Sequence, residues 1–308
     1  MTLLMTNDAG LLHQMPPGHP EQIARLEHVN RALSAPEFAA LDRRPSPMAT
    51  EADLLLAHPA AHVDAIRDVA PATGYVALDP DTSMSPGTWE AALRGVGGCL
   101  AAVDAVFAGE AKNAFVATRP PGHHAEKTRP MGFCLFGNVA IAAKHALERH
   151  GLERVAIVDF DVHHGNGTQD LLWDEPRTLF ISSHQMPLYP GTGAAHERGA
   201  HGNVINAPLS PGTDGATMRS VYSSRLLQRV REFEPQLLLI SAGFDAHEDD
   251  PLANLNWTTE DFAWITRELC TVADETCGGK LVSSLEGGYN LDALAASVAA
   301  HVSELMDA

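Results

Sequence analysis

The segment DFDVHHGNG carries the densest set of metal-ligand side chains in the chain, with Asp159, Asp161 and His163 at alternate positions. If this segment ends a β-strand, alternate side chains point the same way, so Asp161 and His163 can hold one cation with Asp159 behind them. A carboxylate and an imidazole together suit Zn²⁺ or a neighbouring first-row metal. A lone Asp-x-His is more often a hydrogen-bonded loop, but the histidine, two glycines and amide that follow favour a metal site.

The third ligand of such a site is open on the residue pattern alone, since a catalytic zinc usually takes three protein ligands. Asp245 lies in LLLISAGFDAHEDD, where an apolar run leads to the expected end of a strand and Gly243 gives the backbone room to turn. Its rivals are His247, Asp249 and Asp250. Placement at the strand end favours Asp245.

The adjacent pair His123 and His124, in RPPGHHAE, can supply a general base. Two carboxylates and one imidazole would offset most of the charge of Zn²⁺, so water there is less acidified than at a three-histidine site and needs a base beside it. We expect one ring to bond to Asp159, as partners behind a metal site commonly do, and the other to face Asn166. Adjacent loop histidines are more often structural, but two further clusters at strand ends favour a catalytic role.

Tyr289 follows Gly287 and Gly288 after an apolar run. A phenol close to a metal can donate a hydrogen bond to a carbonyl oxygen as that oxygen becomes an oxyanion. The glycines would allow close approach. A tyrosine that only packs at a turn is the alternative on this motif alone.

The elements that must position these residues are predicted from apolar runs and periodicity. Strands are expected at 114–118, 155–160, 178–182, 237–241 and 280–285, and helices at 21–33, 88–109, 136–149, 215–232 and 259–276. Alternation of the two predicts a parallel sheet buried on both faces. Ligand sites of such sheets form beyond the carboxyl ends of the strands, where all these polar segments lie. The segment 34–50 is predicted to be a surface loop.

Composition bounds the partners and the setting. The net charge is −18, with 39 acidic and 21 basic residues, which disfavours nucleic acid. Such a surface would attract cations such as lysine-rich peptides or polyamines, but acidity of this kind more often only aids solubility. The four cysteines form no C-x-x-C pair, so no disulfide framework or thiolate cluster is expected. There is no basic leader and no apolar run that spans a bilayer, so we expect a cytoplasmic protein without membrane partners.

Together these segments resemble the histone deacetylase family, including its bacterial deacetylase-like amidohydrolases and acetylpolyamine amidohydrolases. RPPGHHAE, MGFC, DFDVHHGNGTQD, SAGFDAHEDDP and LEGGYN stand in the family's order, from about residues 19–21 to Tyr289. RPPGHHAE and Asn166 are similar to the class II branch. The resemblance implies one three-layer α/β/α domain over residues 1–308, with a mainly parallel sheet of the arginase/deacetylase type.

The resemblance also implies the metals. One Zn²⁺ would be bound by Asp161, His163 and Asp245. Family members also bind K⁺, and the matching positions here are Asp159, Asp161 and His163, through main-chain atoms, and the hydroxyl of Ser182.

The catalytic roles follow from the same resemblance. His124 matches the principal general base and acid, with His123 beside it. Asp159 and Asn166 match the partners of the two histidines, and Tyr289 matches the tyrosine that stabilises the transition state.

Four further residues match the tunnel that receives the acetylated chain. Gly132 and Phe133 correspond to its floor and wall, and Tyr189 stands where the family commonly has a phenylalanine. Leu252 stands where some eukaryotic members have a carboxylate that favours polyamines. The apolar Leu252 therefore favours acetyl-lysine.

The predicted function is a zinc-dependent amidohydrolase that removes acetyl or other acyl groups from amines, foremost acetyl-lysine, by metal-activated water. Acetylpolyamines or other small amides are the alternative, since the chain is acidic and Asp79 or Asp81 can lie at the rim. A binuclear ureohydrolase would need a second Asp/His ligand set, and a non-catalytic acyl-lysine binding module would lack Tyr289 or a ligand. Neither fits the motifs as well. The oligomeric state stays open.

Overall fold

A twisted sheet of eight parallel strands forms the centre of the molecule in the computed structural model, which describes residues 1–308. Its order in space is β2-β1-β5-β10-β9-β6-β7-β8, and a separate antiparallel hairpin pairs β3 with β4. The strands are β1 Thr2–Thr6, β2 Asp42–Pro45, β3 Val76–Ala77, β4 Ser83–Met84, β5 Asn113–Ala117, β6 Val155–Asp159, β7 Thr178–Gln185, β8 Val204–Leu209, β9 Leu237–Ala242 and β10 Leu281–Leu285.

Helices cover both faces of this sheet. They are α1 Ile23–Ala32, α2 Glu51–Leu54, α3 Ala60–Asp68, α4 Thr88–Phe107, α5 Asn138–Arg149, α6 Asn166–Leu172, α7 Gly215–Val221, α8 Leu227–Phe233, α9 Thr259–Cys277 and α10 Leu291–Asp307. Short 3₁₀ turns occupy Asp8–Leu11 and Pro36–Phe38, and a π-helical turn, Tyr222–Leu226, joins α7 to α8.

Two hydrophobic cores, one on each face of the sheet, divide the helices into two layers. Helices α1 and α7–α10 contribute to one core, and α2–α6 contribute to the other. Strand β6 shows why: Val155 and Ile157 belong to the second core, whereas Ala156 and Val158 belong to the first. Successive side chains of a strand point to opposite faces, so an apolar run without alternation is buried on both sides.

The three-layer α/β/α arrangement and the mainly parallel sheet are confirmed. Each of the five predicted strands and five predicted helices has a counterpart within a few residues. Strands β1–β4 and β8 and helices α2, α3, α6 and α10 were not predicted. No helix is long and apolar enough to cross a membrane.

The prediction of a surface loop at 34–50 is wrong in part. The segment contains the edge strand β2, which pairs in parallel with β1, and the 3₁₀ turn Pro36–Phe38. Its sequence, DRRP, is charged because an edge strand has only one neighbour and exposes alternate side chains to solvent.

The carboxyl ends of β5, β10, β9 and β6, the four central strands, open onto one edge of the sheet. All pair in parallel with their neighbours. The segments that follow them carry the histidine pair, Tyr289, Asp245 and the DFDVHHGNG motif. Residues separated by up to 166 positions in the chain are thereby brought to one place.

Candidate active site

Asp161, His163 and Asp245 converge at the carboxyl edge of the sheet. All three are buried, and their ligand atoms lie within 4.8 Å of one another. His163 Nδ1 is 3.2 Å from Asp161 Oδ1 and 3.1 Å from Asp245 Oδ2. Zn²⁺ bonds of about 2.0–2.2 Å at tetrahedral angles place ligand atoms about 3.3 Å apart. The spacing of this donor set fits such an ion.

Gly243 and Gly287 have no side chains, and this leaves room for the carboxylates of Asp161 and Asp245. A Cβ on Gly243 would lie 2.0 Å from Asp161 Oδ2, and a Cβ on Gly287 would lie 2.2 Å from Asp245 Oδ2. The backbone also fixes the carboxylates: Gly287 N–H donates to Asp161 Oδ2 at 2.8 Å, and Val162 N–H donates to Asp245 Oδ1 at 2.9 Å. The other oxygens, Asp161 Oδ1 and Asp245 Oδ2, face the His163 ring, and Asp161 Oδ1 also accepts the His163 backbone N–H at 2.9 Å.

The charges of the two carboxylates, Asp161 and Asp245, favour a cation bound between them and His163. Burial lowers the pKa of His163, but the hydrogen bonds and charges of Asp161 and Asp245 outweigh burial and raise that pKa to about 10. Without a metal ion, the imidazole must carry the positive charge that two buried carboxylates require. A divalent cation would supply that charge, and its ligand would be the neutral imidazole.

The three rivals of Asp245 lie outside this donor set. His247 Nδ1 accepts the backbone N–H of Asp249, whose own carboxylate is largely exposed. Asp250 accepts the backbone N–H of Tyr289 at 2.7 Å. The geometry therefore favours Asp245 over all three.

His123 and His124 lie beside the trio, with ring centroids 4.0 Å apart. His123 Nδ1 donates to Asp159 Oδ2 at 3.0 Å, and its Nε2 is 3.7 Å from Asp161 Oδ2. His124 Nδ1 donates to Asn166 Oδ1 at 2.7 Å. Donation from Nδ1 leaves the Nε2 of His124 as the basic nitrogen.

The two histidines differ in charge. Burial lowers the pKa of His123, but the charges of Asp161 and Asp159 outweigh burial and hold that pKa well above its usual value. Burial lowers the pKa of His124 well below its usual value, and the neighbouring His123 and His163 lower it further. The surrounding charges therefore favour a proton on His123, whereas His124 is the ring that is free to accept one.

Tyr289 is buried at the same edge, and its hydroxyl is held in the protonated form. Burial raises its pKa well above the usual value; the charge of Arg25 opposes this shift, and the charges of Asp245 and Asp161 reinforce it. The guanidinium of Arg25 lies over the ring, 4.9 Å from its centre. Arg25 also donates from Nε to the Gly288 carbonyl at 2.6 Å. The phenol is thus a fixed hydrogen-bond donor.

A cavity of about 200 Å³ leads to these groups from the surface. Three of its lining residues, His124, His163 and Tyr289, belong to the groups described above. Its other lining residues are Asp81, Gly132, Phe133, Leu188, Tyr189 and Leu252.

The backbone has an unusual conformation at Gly132 and Phe133, two residues that line the cavity. Gly132 and Phe133 both adopt positive φ, 56° and 70°, and Phe133 is a residue type that rarely does so. A Cβ on Gly132 would lie 2.4 Å from the His124 ring. The Phe133 ring meets Tyr289 edge to face at 5.9 Å, and Tyr189 meets His124 at 5.2 Å.

Sequence reasoning gave no role to Glu286, although it quoted the EGGYN segment. The carboxylate is fully buried and accepts the backbone N–H groups of Gly122 at 2.6 Å and His123 at 3.1 Å. It also accepts the hydroxyl of Ser241 at 3.3 Å. An acidic residue directly after an apolar run was the available signal, because a carboxylate that is buried there needs partners.

A buried ion cluster behind Tyr289 was also missed. Arg25 Nη1 donates to Glu21 Oε1 at 3.0 Å, and Arg119 Nη2 donates to Glu21 Oε2 at 2.7 Å. All three side chains are fully buried. The i,i+4 spacing of Glu21 and Arg25 was visible in the sequence, but their burial was not.

Ser182 is buried on β7, opposite Asp159 of β6 in the strand register. Its hydroxyl bonds to His184 Nδ1 at 2.9 Å. Asp159 and Ser182, two of the residues expected to bind K⁺, therefore lie on neighbouring strands, and Asp161 and His163 directly follow the first of these. The four cysteines are all buried and free, and Cys134 Sγ donates to the Gly132 carbonyl.

The comparisons with known proteins agree with this geometry. A family model described as "Histone deacetylase domain" matches residues 19–305. The chain is 40% identical to histone deacetylase 14, chloroplastic, of Arabidopsis thaliana, over 91% of this chain and 71% of that protein. It is 38% identical to the histone deacetylase-like amidohydrolase of Pseudomonas aeruginosa, over 89% of this chain and 73% of that one.

Comparison with a solved structure agrees with the sequence comparisons. The crystal structure of the HDA15 HD domain superposes with a TM-score of 0.93 at 34% identity, and covers 99% of this chain and 89% of that one. The fold is thus the arginase/deacetylase type of three-layer α/β/α domain. The chain belongs to the histone deacetylase family and shares its deacetylase, amide-hydrolysing class of activity.

Proposed function

We propose that the protein is a zinc-dependent deacetylase that hydrolyses acetylated amines, with acetyl-lysine side chains as the preferred substrates. The observation that carries the proposal is the convergence of three groups on one cavity: the trio Asp161, His163 and Asp245, the neutral base His124, and the protonated phenol of Tyr289. One domain, residues 1–308, carries the activity.

The chain's own residues account for the proton transfers. When bound, Zn²⁺ would polarise the acetyl carbonyl and orient the attacking water. The Nε2 of His124 takes the proton of that water, because the hydrogen bond from Nδ1 to Asn166 leaves Nε2 unprotonated. The hydroxyl of Tyr289 donates to the carbonyl oxygen as negative charge develops on it.

The leaving nitrogen then needs a proton. His124 returns the one it accepted, and the charged His123 beside it, fixed by Asp159, stabilises the negative charge of the transition state. Acetate and the free amine are the products. K⁺ at Asp159, Asp161, His163 and Ser182 would hold the strand ends that carry these residues.

The lining of the cavity supports acetyl-lysine. Phe133 and Tyr189 present aromatic faces to a chain of methylene groups, and Leu252 adds an apolar edge. A lysine side chain has four such groups between its amide and its backbone.

One observation favours a second candidate, acetylpolyamines. Asp81 also lines the cavity, as does the exposed rim residue Tyr189. A carboxylate at this position can attract the distal ammonium of a polyamine.

The test compares kcat/KM for acetyl-lysine peptides, acetylpolyamines and other small amides. The proposal expects acetyl-lysine peptides to rank first. It also expects Tyr289→Phe to lower kcat about 10²- to 10³-fold, as loss of one oxyanion donor does. Full activity of that variant would remove the phenol from the mechanism, and absence of turnover by the zinc-loaded protein on every substrate would favour an acyl-lysine binding module.

A further inference from the structure

A second cluster of metal-ligand side chains lies outside the active site. Asp104 of α4 receives hydrogen bonds from two histidines at one carboxylate oxygen: His145 Nε2 and His150 Nε2 are each 2.7 Å from Asp104 Oδ1. The three ligand atoms lie within 4.8 Å of one another. Nothing in the proposed deacetylation uses these residues.

The cluster lies at the opposite edge of the sheet from the active site. Asp104 and His145 are in the last turns of α4 and α5, and His150 directly follows α5. These helices lead into the amino ends of β5 and β6, whereas the catalytic residues follow the carboxyl ends. Five residues of strand separate the two edges by about 16 Å. The cluster therefore cannot provide the second ion of a binuclear ureohydrolase centre.

The three side chains differ in how much of each is exposed to solvent. The His145 side chain is 9% exposed, that of His150 is 23% exposed, and that of Asp104 is 54% exposed. The His150 ring packs on Phe107, with centroids 4.8 Å apart. Two imidazoles are thus held in place by the helices while the carboxylate faces water. An ion there would have three protein ligands and keep positions open for solvent.

We propose that Asp104, His145 and His150 form a second site for a divalent cation of the zinc class, which joins α4 to α5. Two imidazole nitrogens and one carboxylate are a donor set that such ions prefer. The separations of 2.7 Å are those of hydrogen bonds, so binding requires the exposed Asp104 to move outward by about 0.6 Å to the spacing set by zinc bonds.

The second site binds more weakly than the active site. Metal-bound histidines usually donate their other N–H to an acceptor, and loss of that partner weakens binding about 10- to 100-fold. The Nδ1 of His145 is buried and has no hydrogen-bond partner. In addition, the two buried carboxylates of the active site are replaced here by one exposed carboxylate. We therefore expect Zn²⁺ to occupy the active site first and the site at Asp104, His145 and His150 second.

The test is a Zn²⁺ titration of the metal-stripped full-length protein against a chromophoric chelator at pH 7.5. Wild type is expected to bind one ion tightly and a second at least about 10-fold more weakly. His150→Gln and Asp104→Asn should lose only the weak ion, and Asp161→Asn should keep it. His201→Gln, which changes an exposed histidine of another loop, is the matched control.

Thermal unfolding gives an independent readout. The second equivalent of Zn²⁺ should raise the Tm of wild type and His201→Gln, but not the Tm of His150→Gln. If His150→Gln and Asp104→Asn bind as many ions as wild type, or if wild type binds a single ion, the cluster is a hydrogen-bonded trio and the proposal fails. The readouts do not use catalysis, so they stand apart from the outcome for the deacetylase activity.

Discussion

The carboxylate of Asp250 accepts the backbone N–H of Tyr289 at 2.7 Å. The same oxygen accepts the N–H of Asn290 at 3.3 Å, and the other oxygen accepts the N–H of Leu252 at 2.9 Å. One buried side chain therefore fixes both the residue that carries the phenol and a residue of the cavity wall. Asp250, a rejected candidate for the metal, is a positioning residue for Tyr289.

Replacing Asp250 with alanine should lower kcat about 10- to 100-fold, because a displacement of about 1 Å at a catalytic group can cost 10²-fold. KM for an acetyl-lysine peptide should rise less, and Zn²⁺ content should not change. Asp250→Asn, which keeps acceptor oxygen, should recover part of the loss. Asp249→Ala is the control, since that side chain is exposed. Equal activity of the two alanine variants would contradict the assignment.

A change of pH can distinguish the effect of the charge of Glu286 from the effect of the hydrogen bonds that its carboxyl group accepts. Burial raises the pKa of this carboxyl to about 7, despite the opposing charge of His123. The folded pKa exceeds the unfolded value, so wild type loses stability as pH rises from about 4.5 to about 7. Glu286→Gln cannot ionise, and its free energy of unfolding relative to wild type should rise across this window by up to about 3 kcal/mol.

Denaturant unfolding of the metal-stripped proteins at pH 5 and 7.5 measures this change. The same variant should keep most of its kcat, because the amide oxygen can still accept the N–H groups of Gly122 and His123. Glu286→Ala should lose kcat and stability at both pH values, since two buried N–H groups lose their acceptor. A stability difference between wild type and Glu286→Gln that does not vary with pH would refute the argument.

Asn166→Asp should shift the pH dependence of catalysis. His124 is a neutral base because burial and two neighbouring histidines lower its pKa. A carboxylate in place of the Asn166 amide, 2.7 Å from Nδ1, favours the protonated ring and raises that pKa. The acid limb of kcat/KM should therefore move to higher pH. A limb that stays in place, measured on the same acetylated peptide, would mean that another group titrates.

Glu21 neutralises two fully buried guanidinium groups, so Glu21→Gln should destabilise the protein by about 3–5 kcal/mol. Burial alone would raise the pKa of Glu21, but Arg119 and His13 outweigh burial and hold it well below the usual value. The stabilisation is therefore complete above about pH 4.5 and is lost as pH falls toward the folded pKa. Chemical denaturation of both proteins at pH 7 and pH 4 should show the difference shrinking. A difference that grows at pH 4 would contradict this sign.

Leu252→Glu should change substrate preference. A carboxylate at this edge of the cavity attracts the distal ammonium of an acetylpolyamine, so the ratio of kcat/KM for acetylpolyamine over acetyl-lysine peptide should rise about tenfold or more. Leu252→Gln, of similar size and without charge, is the control. If both variants change the ratio equally, shape and not charge sets the preference.

Much of the architecture was predictable because each central strand combines two local signals. An apolar run buried on both faces, as in β6, ends directly in a polar segment with glycine, and this pair of features marks both the strand and the edge where ligands bind. The ligand pair Asp161 and His163 follows from alternation within one such segment.

Contacts between distant segments were not predictable in the same way. Placement at the strand end favours Asp245 over Asp250, but only the fold shows that Asp250 instead accepts the backbone N–H of Tyr289. Glu286 acts on backbone groups 163 and 164 positions away. The charged residues of β2 predict a loop, because the pairing of this segment to β1, and not its own residues, makes it a strand.

The position of β10 in the sheet limits how far the protein can fold while it is being synthesised on the ribosome. Although β10 is the last strand in the chain, it lies between β5 and β9. Until residues 281–285 leave the exit tunnel, the sheet can exist only as two separate halves, β2-β1-β5 and β9-β6-β7-β8. The histidine pair belongs to the first half, and all three expected metal ligands belong to the second. A chain that lacks β10 therefore cannot bring these two sets of residues together, and the insertion of its final strand completes the site.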